Sequence, residues 1–260
     1  MDILLTNDDG IDAAGLRVLY EALSEVGDVL VVAPADDQSA IGRARSSSVA
    51  VEERDIGYAL HGTPADCVIA GLEAIGPYPD LVVAGCNEGA NLGAYVLGRS
   101  GTVSAAVEAA FFGVPAMAVS LYVPVEPGES IQDVSLDPPD FEEAVRATRY
   151  LADHALGAGV FEQAEYLNVN APLPGEAPAS LAVTRPSHGQ AMNAEPDGDG
   201  RITLHDHIWD RMRTGEIDDP AGTDRRAVLD GQVSVSPLTA PHTTEHHEAL
   251  DALAQTYPGS

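Results

Sequence analysis

The 260-residue chain predicts an α/β fold: three layers, with a Rossmann-like, mostly parallel central sheet and a β-rich C-terminal extension. Two observations predict the layered part. Continuous apolar runs such as Ile3-Leu4-Leu5 and Val29-Leu30-Val31-Val32-Ala33 suit strands covered on both faces, as parallel strands are. Stretches of helical spacing separate those runs, which makes βαβ units. The extension is read from a third. After about residue 185 the chain turns to extended pieces, loops and a closing helix. The expected division is therefore 1–185 for the α/β domain and 186–260 for the extension.

The elements follow in order. Met1 to Thr6 reads as the first strand, ending in Asn7-Asp8-Asp9-Gly10. Leu16, Leu19, Tyr20 and Leu23 place a helix over Ala14 to Val26, with Gly27 as its cap. Val29 to Ala33 is the second strand, and Pro34 ends it. Residues 34–48 form a long polar loop, which inside an α/β unit is usually functional. Loose alternation over 49–61 predicts a β-ribbon. Thr63 and Pro64 open a helix running to about Ile75. Asp80 to Gly85 is a strand, followed by a loop rich in Gly and Asn. A small-residue helix covers Val103 to Phe112, capped by Ser100 or Thr102. Strands at Pro115–Leu121 and Tyr166–Asn170 flank a helix from Phe141 to Leu156. Asp197-Gly198-Asp199-Gly200 predicts a hairpin turn. Strands follow at Arg201–Leu204 and Val233–Ser236, then a helix from His246 to Ala254.

Composition narrows the function. The chain has 41 acidic residues against 13 basic ones, a net charge of −28, and every basic residue is Arg. Nucleic-acid polymers would be repelled, because their binding needs clustered positive charge. The acidic residues are scattered, as in a protein from a high-salt cytoplasm, where molar salt shrinks the Debye length to about 3 Å. No membrane span or basic, apolar leader is read, so the expected location is cytoplasmic. Cys67 and Cys86 make no disulfide framework and are expected to be buried thiols. A P-loop enzyme is excluded by the lack of Lys, and no GxGxxG or GxSxG occurs.

The chemistry is expected where strands end. Asp8 and Asp9 would repel each other unless a cation lies between them, although the same four residues also suit a solvated turn. Ser39 in the polar loop and Asn87 after the next strand lie at the same sheet rim. The set offers hard oxygen donors to one divalent cation, Mg²⁺ or Mn²⁺. Asn91 lies in the same loop as Asn87, and Ser100-Gly101-Thr102, at a helix N-terminus, stands beside the set as an anion cradle. A cation next to such a cradle implies attack of water on a phosphoryl group, with Asp8 or Asp9 taking the proton. Two other groups carry chemistry-bearing side chains. His61 precedes Gly62-Thr63-Pro64 near the rim, and His242, Glu245, His246 and His247 cluster without an HExxH pattern.

The stretches ILLTNDDGID, APADDQSAIGRARS, HGTPADCV, PDLVVAGCNEGANLG, SGTVSAAVEAAFFGVPAMAVSL, LNVNAP and TDRRAVLDGQVSVSPLT together resemble the SurE family (stationary-phase survival protein). The resemblance extends from residue 1 to about 243. It implies a metal-dependent 5′/3′-nucleotidase acting on nucleoside monophosphates. It implies metal ligation by Asp8, Asp9, Ser39 and Asn87, and phosphate contact by Asn7, Asn91, Ser100, Gly101 and Thr102. It also implies a homodimer or homotetramer in which a C-terminal segment reaches a partner subunit. Alternatives are a broader phosphatase for small phosphoesters or short polyphosphate, and a nucleotide binder without catalysis. Arg99 stands where the family usually has Tyr, Gln232 replaces a second Tyr, and Pro241 stands where an Asp is common. These departures bear on the base and on substrate preference, not on the metal ligands.

Overall fold

The structure is a computed structural model that describes residues 1–126, 131–189 and 191–240, apart from the side chain of Gln132. Its core is a nine-stranded sheet. The strands are β1 (Asp2–Thr6), β2 (Asp28–Pro34), β3 (Val51–Arg54), β4 (Gly57–Leu60), β5 (Leu81–Asn87), β6 (Ala116–Tyr122), β7 (Tyr166–Pro172), β8 (Leu181–Val183) and β11 (Val233–Leu238). Their order is β3-β4-β2-β1-β5-β6-β7-β11-β8. Pairings from β4 through β7 are parallel, while β3 with β4 and β11 with β7 are antiparallel. A separate ribbon joins β9 (Met192–Pro196) to β10 (Ile202–Asp206).

Alternation along the strands builds two cores. Ile3, Leu5, Val31, Val83, Val119 and Val169 face one side. There they meet Leu16, Leu19 and Leu23 of α1 (Ala14–Leu23) and Ala144, Ala147 and Leu151 of α5 (Glu142–His154). Leu4, Val32, Val82 and Ala118 face the other side, against Cys67 and Val68 of α2 (Pro64–Ala70) and the Ala-rich face of α4 (Gly101–Phe111). Small residues on α4 let the helix lie close to the sheet. The three layers are those expected, and both thiols are buried and free.

Several boundaries differ from expectation. Helix α1 ends at Leu23, before Val26, because Ser24 caps it and donates its hydroxyl to Tyr20 O at 2.7 Å. Helix α2 opens with a full capping box between Thr63 and Asp66, then widens into a π-helical turn over Gly71–Ile75. Helix α4 starts at Gly101 because Ser100, not Thr102, is its cap, accepting Val103 N at 3.1 Å. Strand β5 runs on to Asn87 through a register shift between Ala84 and Asn87. Three short helices were not anticipated: α3 (Ala94–Leu97), α6 (Ile208–Thr214) and α7 (Asp224–Leu229). Each spans two turns or fewer, too little for a period to show. The expected closing helix and the His242, Glu245, His246 and His247 group lie outside the described residues.

The site follows from the strand order. β1 lies between β2 and β5, and chain connections leave it in opposite directions there. In an open α/β sheet, ligands bind at the carboxyl ends of strands flanking such a point. Asp8 and Asp9 stand at the end of β1.

Candidate active site

The turn after β1 is shaped by Asn7. Its Nδ2 donates to Gly10 O at 2.8 Å and its Oδ1 accepts Gly10 N at 3.3 Å. Gly10 has φ +103°, a value that a side chain would strain. Asn7 is fully buried and forms no part of the cavity wall, so it holds the loop that carries the two carboxylates.

Asp8 is 3% exposed. Its Oδ1 accepts the Thr102 hydroxyl, and its backbone oxygen accepts Gln38 N at 2.7 Å. Burial raises the Asp8 carboxyl above the ordinary value of 3.8, against the pull of the Thr102 hydrogen bonds. Asp9 is pushed up to about 8, first by burial and then by the charges of Asp8 and Glu88. Its Oδ2 accepts Glu88 N at 3.3 Å. Among the described residues no basic side chain pairs with either carboxylate.

The second loop brings Ser39 to the same place. Ser39 donates both its hydroxyl, at 2.6 Å, and its backbone N–H, at 2.8 Å, to Asp37 Oδ1. Ala40 beside it has φ +60°, a left-handed conformation rare for a residue with a side chain. The third loop carries Asn87, whose Nδ2 is spent on Gly89 O, leaving the amide oxygen as its available donor to a cation. Asn91 is held on every side. Its N donates to Asn170 Oδ1 at 2.8 Å, its Nδ2 donates to Ser120 Oγ at 2.9 Å, and its O accepts Asn168 Nδ2 at 2.9 Å. Those partners belong to β6 and β7, so the sheet itself positions the loop.

Asp8, Asp9, Ser39, Asn87, Asn91 and Ser100 line one cavity of about 720 Å³. Gly101 and Thr102 lie behind its wall. A Cβ on Gly101 would come within 2.7 Å of Asp8, so only glycine lets α4 start this close to the acidic pair. Both the hydroxyl and the N–H of Thr102 serve Asp8. His61 stays outside the cavity, with Nε2 3.0 Å from Glu52.

Three features of the cavity escaped the sequence reading: Asp37, Glu88 and an apolar wall. Asp37 and Glu88 add carboxylates beside the expected pair. Asp37 sits in the polar loop already singled out, and its place beside Ser39 was the available signal. Arg99, the residue that departs from the family's Tyr, is in the cavity as the sequence allowed, and is the only cation among the lining residues. The far wall is apolar, with Tyr122, Val123, Val125, Ile131 and Trp209. Trp209 lies on α6, in a stretch that offered no periodicity to read.

The donor set suits a hard cation. Among the described residues no group of three or more His, Cys, Asp or Glu has metal-binding geometry. The available donors are two carboxylates, a hydroxyl and an amide oxygen, and all are oxygen. Asp8, raised by burial and the charge of Asp37, and Asp9, raised by burial and the charges of Asp8 and Glu88, are short of positive charge, and a divalent ion would supply it.

Known proteins align with this arrangement throughout. The family model described as Survival protein SurE matches residues 3–193. A protein named 5′-nucleotidase SurE from Haloarcula marismortui is 66% identical over 255 residues, spanning 98% of this chain and 94% of that one. A protein of the same name from Archaeoglobus fulgidus is 40% identical over 253 residues, spanning 92% and 91%. The crystal structure of the SurE protein from Aquifex aeolicus superposes with a TM-score of 0.76 at 31% identity, covering 98% of this chain and 99% of that one. The acidic composition fits the several relatives from halophilic archaea. With sequence and fold both matched over nearly the whole length, the chain belongs to the SurE family.

Proposed function

We propose that the protein hydrolyses nucleoside monophosphates to nucleoside and phosphate, with one divalent cation per subunit, Mg²⁺ or Mn²⁺. The observation that carries this is the pair of the buried Asp8 and the half-buried Asp9 in the wall of a nucleotide-sized cavity, beside the capped N-terminus of α4. The names of the relatives, 5′-nucleotidase SurE, support the substrate.

Asp8, Asp9, Ser39 and Asn87 hold the cation. When bound, it draws charge from the phosphoryl oxygens and makes water more acidic. Thr102 fixes Asp8 in place through its hydroxyl. Asp9 receives one backbone hydrogen bond from Glu88, and takes the proton of the attacking water. Ser100 accepts Val103 N as helix cap and keeps its own hydroxyl proton for a phosphoryl oxygen. Asn91 in the cavity wall completes the phosphate contacts. Water adds to phosphorus, the ester P–O bond breaks, and the leaving sugar oxygen takes up a proton. The apolar wall with Trp209 and Tyr122 receives the base.

The stretch from 186 onward, with its exposed Ile202 and Leu204, serves contact between subunits of a homodimer or homotetramer. No helix among the described residues is long and apolar enough to cross a membrane, and the proposed location is the cytoplasm.

The test is phosphate release from a nucleotide panel with Mg²⁺ or Mn²⁺, with and without a chelator, at low and high salt. Activity that needs the cation and disappears in Asp8→Asn, with folding retained, is the expected result. Full turnover in Asp8→Asn refutes the site.

A further inference from the structure

Seven carboxylates line the cavity: Asp8, Asp9, Asp37, Glu88, Glu126, Asp206 and Asp210. Arg99 is the one cation among the lining residues. An anionic substrate entering this wall meets repulsion from nearly every side, in a chain whose net charge is −28.

Arg99 is exposed, and its guanidinium is already oriented. It lies 3.8 Å above the Tyr95 ring, and Nη1 donates to Tyr95 O at 3.1 Å. No carboxylate among the described residues pairs with it. Stacking and one hydrogen bond use one face and one N–H, and a guanidinium has further donors in a fixed plane. The backbone of Arg99 is fixed too, since its O accepts Gly42 N at 3.1 Å.

Sequence proximity places it. Gly101 packs directly on Asp8, so Arg99 is two residues upstream of the acidic floor. Two residues span at most about 7 Å between Cα atoms, within the reach of an extended arginine side chain. Between them Ser100, buried, points its hydroxyl to the start of α4. The segment 99–101 therefore runs from rim to floor along the path a phosphate must take.

We infer that Arg99 is a substrate-capture residue, whose guanidinium hydrogen-bonds the phosphoryl group of the nucleotide at the mouth of the acidic cavity. This rests on the phosphatase reading for its substrate. The contact is made with bound substrate and transition state alike, so it lowers KM and leaves kcat nearly unchanged. The planar donor pair matches a phosphate better than an ammonium does, so lysine restores the charge but only part of the binding.

The experiment compares wild type, Arg99→Gln, Arg99→Lys and Arg201→Gln in buffered molar KCl with Mn²⁺. Molar salt cuts the Debye length to about 3 Å, which removes long-range attraction and leaves direct contact. Arg201, on the exposed ribbon turn, controls for the loss of one positive charge. Arg99→Gln should raise KM for a nucleoside monophosphate about tenfold, with kcat within about threefold. Arg99→Lys should fall between, and Arg201→Gln should match wild type. Calorimetric binding of inorganic phosphate should weaken in Arg99→Gln by a similar factor. An unchanged KM and phosphate affinity in Arg99→Gln overturns the inference, as does an equal change in Arg201→Gln. If the wild type releases no phosphate with any cation, the phosphatase reading fails, and phosphate affinity alone then decides on Arg99.

Discussion

The backbone nitrogen of Gly93 donates to Asp224 Oδ2 at 2.7 Å, although 131 residues separate the two. The other oxygen of the same carboxylate accepts Ser187 N, Ser187 Oγ and Arg225 N, all within 2.8–2.9 Å. One fully buried side chain thus ties the loop bearing Asn91 to both ends of the excursion that carries the ribbon and α6. Asp224→Ala leaves four donors without a partner and is expected to cost about 3–5 kcal/mol, read by chemical denaturation. Asp224→Asn, which keeps an acceptor, should cost less. Equal stability of the alanine variant and wild type would show that the tie is dispensable.

Asp9 supplies a pH dependence. Its carboxyl sits near 8 in the cation-free protein against an ordinary 3.8. Between those values the folded protein holds more protons than the unfolded chain, so stability falls as pH rises. Chelated wild type should lose stability relative to Asp9→Asn from about pH 4 to about pH 8, after which the difference levels off. Mn²⁺ should remove that loss in wild type and release protons as it binds, measured by calorimetry in buffers of different ionisation heat. A flat difference between the two chelated proteins would contradict the assignment.

Gly101→Ala sets two effects against each other. Alanine in the first turn of α4 gains up to about 1 kcal/mol of helix propensity. The added methyl comes 2.7 Å from Asp8, an overpacking that costs about 1–3 kcal/mol. Overpacking wins, and the group that must move is the proposed cation ligand. The expected outcome is a small fall in melting temperature with at least about a tenfold fall in turnover, because a misplacement near the chemistry of about 1 Å is that costly. Turnover equal to wild type would show that Asp8 has room to spare.

Asp66 acts in the opposite direction to Asp9. Burial works to raise its carboxyl, but hydrogen bonds from Thr63 and Ser46 outweigh that and hold it below 3.8. Its contribution is therefore present above the unfolded value and is lost as pH falls through the lower folded one. Asp66→Asn should be less stable than wild type at neutral pH by about 1 kcal/mol, with the gap closing below about pH 4. Urea midpoints across that range check it.

Much of the candidate site was legible because it sits where backbone and chemistry coincide. Apolar runs marked β1, β2, β5 and β6, and those of β1, β2 and β5 led into residues that are polar for no reason of packing. Asp8, Asp9, Ser39 and Asn87 could be picked out on that ground. The subtler roles were hidden. Thr102 looked like a phosphate contact because Ser-Gly-Thr opens a helix, and only the three-dimensional fold shows its hydroxyl turned to Asp8. Asn168 and Asn170 read as part of a buried strand, and nothing in their order reveals that they hold the backbone of Asn91. Trp209 and Asp224 stand in helices of two turns or fewer, where the hydrophobic period cannot declare itself.

β11 occupies the slot between β7 and β8, and Thr184 Oγ1 next to β8 lies 2.8 Å from both Ser234 and Ser236 on it. The family model matches only as far as residue 193, forty positions before that strand begins at 233, although full-length relatives align through it. A fragment trimmed to the matched span would leave β7 with bare peptide groups along one side and nothing to stop it zipping onto a neighbour. The sheet is sealed from its own tail, so the part of the chain that looks most expendable is the part that keeps the rest from sticking together.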